Sequence, residues 1–186
     1  NNILSMYAVL FLMLPGFLWL YRRSARLLVA VSGTLWLAAG IWQIAPSNFL
    51  DDGKWFLNPL SWQFLFVIGF VGVLRAKRSG IPKNMVLTLL SATYLFISML
   101  WVVFSWWNID FSYGLPAVLT GFDKTFLSTT RLLHVLAGAY LVATVPTLSA
   151  WAALPLSHPL VAVGRHSLAV FILGTILAMV GQVMMF

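Results

Sequence analysis

The sequence contains no cysteine and no glutamate. The first absence excludes disulfides, thiol nucleophiles and thiolate metal sites. The second leaves four aspartates and three scattered histidines, a poor set from which to build a metal cage, so no metal is expected. Charge is scarce altogether. Only 8% of the residues are charged and 61% are hydrophobic, so the chain cannot supply the water-facing surface of a soluble domain, where roughly 25% are charged. No basic start followed by a short apolar core and a small-residue cleavage site precedes the first apolar run, so nothing resembles a signal peptide. No convincing internal repeat is present either, which removes the main support for an inverted-repeat transporter.

What is present is six long apolar stretches, Ile3–Tyr21, Arg26–Ala45, Asn58–Leu74, Met85–Trp107, Arg131–Ala153 and His166–Phe186. Each comes near the ~20 apolar residues that cross a bilayer. Inside hydrocarbon every backbone N–H and C=O must be paired, which leaves helices or closed barrels, and continuous apolar runs exclude the alternation of barrel strands. The expected fold is therefore all-α, a polytopic transmembrane helical bundle of about six spans in contact with the lipid bilayer. The net charge of +7 does not imply nucleic acid, because most Lys and Arg fall in short connections between spans.

Those connections set an expected orientation. Arg22, Arg23 and Arg26 lie between the first two spans, and Arg75, Lys77, Arg78 and Lys83 between the third and fourth; positive-inside bias places both groups on the cytoplasmic side. The connections around Asp51, Asp52 and Lys54 and from Asn108 to Thr130 then face outward, as do both ends of this chain. Trp55, Phe56, Trp106, Trp107 and Tyr113 collect at that outer interface, where amphipathic rings settle. Pro15-Gly16 and Pro146 are expected to kink or loosen their helices, since each proline removes a helical hydrogen bond. The connection from Asn108 to Thr130 exceeds the ~12–15 residues of an ordinary loop. Phe111, Tyr113, Leu115, Val118, Leu119, Phe122 and Phe126 make it too apolar for disorder, so it is expected to fold back on the bundle or lie in the interface, as a lid or acceptor-binding surface.

Few polar residues remain to carry chemistry. Asn58 can cap the third span and Pro59 suits its first turn. Gln63, one turn further in, needs either a neighbouring helix or a polar ligand, and stands beside Trp62. Arg131 and His134, three apart, share a helix face and can point into one cavity, with Asp123 available to neutralise the first or orient the second. An arginine fork suits a carboxylate or phosphate, and an imidazole can take a proton from a hydroxyl. Equally, Arg131 can snorkel and His134 can bond a neighbouring helix. Arg165, His166 and Ser167 open the sixth span, where Arg165 is either a topological charge or part of an anion site, and Ser167 can bond back to a helix carbonyl.

Three of these segments resemble the OpgC family, membrane succinyltransferases of osmoregulated periplasmic glucans within the acyltransferase type 3 superfamily. The resemblance rests on Leu57-Asn58-Pro59-Leu60-Ser61-Trp62-Gln63-Phe64-Leu65-Phe66, on Asp123-Lys124-Thr125 with Arg131-Leu132-Leu133-His134, and on His158-Pro159-Leu160 with Gly164-Arg165-His166-Ser167-Leu168-Ala169-Val170-Phe171. It implies one transmembrane acyltransferase-like domain over residues 1–186, in the bacterial inner membrane. It further implies succinyl-CoA as donor and a periplasmic β-glucan as acceptor. Trp62, Gln63, Asp123, Arg131 and His134 would stand near the sugar, and Arg165, His166 and Ser167 near the phosphates of the acyl-CoA. The family's catalytic histidine is expected in an early membrane segment that no residue here matches, so the catalytic residue is left unassigned, and the chain reads as a C-terminal portion, inactive by itself. A related O-acetyltransferase of a surface polysaccharide, and a non-enzymatic transporter or assembly subunit, remain as alternatives.

Overall fold

A computed structural model describes residues 2–47, 54–106 and 114–184. The apolar stretches form helices: α1 (Asn2–Arg23), α2 (Ala25–Ile41), α3 (Pro59–Ser79), α4 (Met85–Val103), the short α5 (Ala117–Thr120), α6 (Thr129–Thr144), α7 (Pro146–Ala152), α8 (Pro159–Arg165) and α9 (Ser167–Met184). Among the described residues there is no strand, only an isolated bridge between Ser47 and Lys54, so the protein is an all-α helical bundle. α1, α3 and α4 are long and apolar enough to cross a membrane. The count reaches five if α6 with α7, and α8 with α9, are each one interrupted span, while α2 is a shorter apolar helix of 17 residues.

Local chemistry explains where the helices begin and end. Asn58, Asn84 and Ser24 accept backbone N–H groups from the first turns of α3, α4 and α2, and Pro59 occupies the first turn of α3. α3 continues past Leu74 to Ser79 and carries Arg75, Lys77 and Arg78 on its final turns, because long basic side chains are good helix formers and favour a helix C-terminus. Helix α1 runs without interruption through Pro15. At Pro146 the helix does stop: Val145 has extended backbone and Pro146 starts α7, as expected for a residue preceding proline.

The chain divides into two compact units, Asn1–Thr144 and Val145–Phe186. In the first, α1, α2 and α3 pack together, α5 bridges α2 and α6, and α4 runs against α6. Phe17, Leu28 and Val67 form one core, backed by Leu20, Phe66 and Phe70. Trp36, Val118, Leu127 and Leu132 form another, backed by Trp62, Phe64 and Leu136. In the second unit α8 contacts α9. Much apolar surface stays open, with Leu12, Met85 and Trp151 all more than three-quarters exposed. In water such surface would aggregate, whereas against lipid it meets its own solvent.

Candidate functional site

The polar residues of the first unit gather around the segment that leads into α6. This segment folds back onto the bundle, and its irregular backbone presents carbonyls that no helix ladder can satisfy. Side chains satisfy them instead. Trp36 Nε1 donates to the carbonyls of Leu127 (2.9 Å) and Phe126 (3.2 Å), and Trp62 Nε1 to that of Lys124 (2.9 Å). From the other side Thr129 Oγ1 donates to Val118, Thr130 Oγ1 to Gly121 (2.7 Å), and Arg131 Nε to Phe122 (2.8 Å). The Asn58 backbone N–H reaches the Thr125 carbonyl at 3.1 Å. Irregular backbone packed against a bundle is stable only when its polar groups are paired in this way.

Within the segment, Asp123 shapes the turn: its Oδ1 accepts the Thr125 N–H at 2.9 Å and its carbonyl accepts the Ser128 N–H at 3.1 Å. Leu127 takes a left-handed backbone (φ 49°) although fully buried. That conformation costs ~1–2 kcal/mol in a non-glycine residue, and burying a leucine side chain returns ~1.5–3 kcal/mol. The segment is pressed close to α2 as well, since a Cβ on Gly40 would lie 2.4 Å from a Val118 methyl.

Below it, between α4 and α6, opens a cavity of about 450 Å³. Trp62, Trp101, Phe122 and Tyr94 supply aromatic walls, and Arg131, His134, Thr130 and Ser98 supply polar atoms. Tyr94 donates its hydroxyl to the Thr130 carbonyl at 2.7 Å, and its ring meets His134 edge-on at 6.4 Å between centroids. Trp101 and Phe122 lie 6.1 Å apart. The volume lies within the ~300–1,000 Å³ of small-molecule sites.

Three of the residues anticipated from the sequence, Trp62, Arg131 and His134, therefore line one cavity. Gln63 and Asp123 do not line it. Gln63 is fully buried between α2 and α3, where Oε1 accepts the Ser32 hydroxyl and Nε2 donates to the carbonyls of Ser32 (2.9 Å) and Leu60 (3.1 Å). Its partner is a neighbouring helix. Asp123 supports the turn carrying Phe122, rather than pairing with Arg131. Arg165, His166 and Ser167 belong to the second unit, at the break between α8 and α9, and all three are exposed. There Arg165 ends α8, the His166 N–H caps the Ala162 carbonyl at 3.1 Å, and Ser167 starts α9. Among the described residues no group of His, Asp, Glu or Cys could hold a metal.

Tyr94, Ser98 and Trp101 were missed from the sequence. Their signal is nevertheless legible, because positions i, i+4 and i+7 place them on one stripe of an otherwise apolar helix. A polar stripe of that kind in a membrane helix marks the face turned toward protein or ligand.

Fold and cavity together define a polytopic membrane protein with a small, aromatic-walled polar recess. The family model described as OpgC protein matches residues 1–186, the whole chain, and the chain belongs to that family, which is one of acyltransferases. No curated protein and no solved structure matches it.

Proposed function

We propose that the protein transfers succinyl groups from succinyl-CoA to glucose hydroxyls of an osmoregulated periplasmic glucan at the bacterial inner membrane, and that the α4–α6 cavity receives the sugar being acylated. The observation that carries this reading is the composition of the cavity wall, which combines three indole and phenyl rings with the polar side chains of Arg131, His134 and Thr130. Aromatic faces suit the apolar faces of a hexose, and the polar groups suit its hydroxyls. In the reaction the thioester C–S bond breaks as the ester C–O bond forms, and the hydroxyl proton ends on the CoA thiol. His134 and Arg131 orient the sugar or the acyl group in this scheme, and no residue of this chain is assigned the role of general base. The exposed Arg165, with His166 and Ser167, is proposed to meet phosphates of the acyl-CoA.

The test is transfer of isotopic label from succinyl-CoA into extracted glucan by membranes containing the natural full-length protein. Labelled glucan, absent from membranes lacking the protein, is the expected result. Its absence, with folded protein and a working positive control, would overturn the proposal.

A further inference from the structure

Arg131 stands in an electrostatic setting that selects a particular ligand. Among the cavity-lining residues it is the guanidinium, and no carboxylate side chain shares the wall with it. Asp123, eight residues away, turns its Oδ1 to the Thr125 N–H. The Arg131 side chain is fixed by its Nε bond to the Phe122 carbonyl, and its two terminal nitrogens have no bond among the described residues. An arginine held at Nε presents those two nitrogens as a planar fork, the geometry that matches a carboxylate or phosphate in two parallel hydrogen bonds. The remaining wall is apolar and aromatic apart from His134, Tyr94, Thr130 and Ser98. One positive charge in such surroundings balances one negative charge. The several phosphate charges of a CoA moiety would find no second arginine or lysine among the lining residues.

We propose that Arg131 is the specificity-determining residue for the acyl group, binding the free carboxylate of a dicarboxylic half-ester or half-thioester such as succinyl. This rests on the acyl-transfer reading above and extends it from the acceptor to the donor. A neutral acyl group of the same length leaves the fork unpaired, and a site built to bond a polar group rejects the analogue that lacks it. The proposal thus accounts for selection of succinyl over acetyl or butyryl by a residue of this chain.

The experiment uses purified full-length protein in detergent, as wild type, Arg131→Gln and Arg131→Lys. Binding of monomethyl succinate is compared with that of methyl butyrate, its uncharged analogue, and with free CoA, alongside transfer from succinyl-CoA and butyryl-CoA. Wild type should bind monomethyl succinate at least about tenfold more tightly than methyl butyrate. A charge-assisted bidentate contact sets the expected loss of kcat/KM for succinyl-CoA in Arg131→Gln at about 10–100-fold, at least about fivefold greater than the loss with butyryl-CoA. Arg131→Lys keeps the charge but not the fork, and should show a smaller loss that is again greater with succinyl-CoA than with butyryl-CoA. Equal losses with both donors, or retained succinate preference in Arg131→Gln, would overturn the inference. So would CoA binding that depends on Arg131 while monomethyl succinate binding does not. Arg131-dependent succinate binding without any acyl transfer by wild type would support the carboxylate site and overturn the acyl-transfer reading alone.

Discussion

Gln63 illustrates how one amide can serve packing in a place where the sequence favoured a neighbouring helix but also allowed a ligand. It is fully buried, and both ends of the amide are engaged by α2 and by its own helix. Replacing it with leucine strands the Ser32 hydroxyl, so Gln63→Leu is expected to lower stability by ~1–2 kcal/mol, the range of buried and interhelical hydrogen bonds. Thermal unfolding in detergent with Ser32→Ala as the second arm of a double-mutant cycle would read this. Ser32→Ala should cost less in the leucine background than in wild type. Unchanged stability with weakened glycan binding would instead make Gln63 a ligand contact. The sequence showed that the amide needed a partner. It could not show which one, because Ser32 lies 31 positions away and only packing brings it near.

At the level of elements, the returning segment depends on how closely α5 can approach α2. The Cβ of an alanine at Gly40 would sit 2.4 and 2.6 Å from atoms of Val118, so Gly40→Ala must displace α5 and is expected to destabilise by ~1–3 kcal/mol. Gly72, in α3, has nothing within 4 Å of its added Cβ, and Gly72→Ala should be neutral or stabilising by up to ~1 kcal/mol. Unfolding of the two variants side by side checks the contrast, and equal effects would contradict the close approach. Composition made the segment's return to the bundle legible, since Val118, Leu119, Phe122 and Phe126 are too apolar for open solvent. The anchors Trp36 and Trp62 were not legible as such. Trp62 reads from the sequence as a ligand contact, Trp36 lies inside an apolar run, and the carbonyl partner of each lies tens of residues away along the chain.

Across the whole molecule, membrane character was the most legible property, because it follows from run length and hydropathy alone. The placement of Arg131 beside Tyr94 and Trp101 was not, since it requires α4 and α6 to be neighbours. Orientation rests on the Lys and Arg distribution, and the absence of cysteine makes it easy to test. Single cysteines at two exposed positions, Ser79→Cys and Lys124→Cys, should react with an impermeant maleimide from opposite sides, Lys124→Cys from outside intact spheroplasts and Ser79→Cys only after lysis. Labelling of both from one side would contradict the assignment.

Whether the cavity between α4 and α6 serves acyl transfer is read from the activity of cavity variants. Label transfer from succinyl-CoA to glucan would be measured in membranes carrying wild type, Arg131→Ala, His134→Ala and the packing control Gly72→Ala, at equal protein levels. Loss of a cavity hydrogen bond to substrate predicts a fall of about tenfold or more in each cavity variant, with Gly72→Ala near wild type. Full activity in both cavity variants would exclude this cavity from acyl transfer.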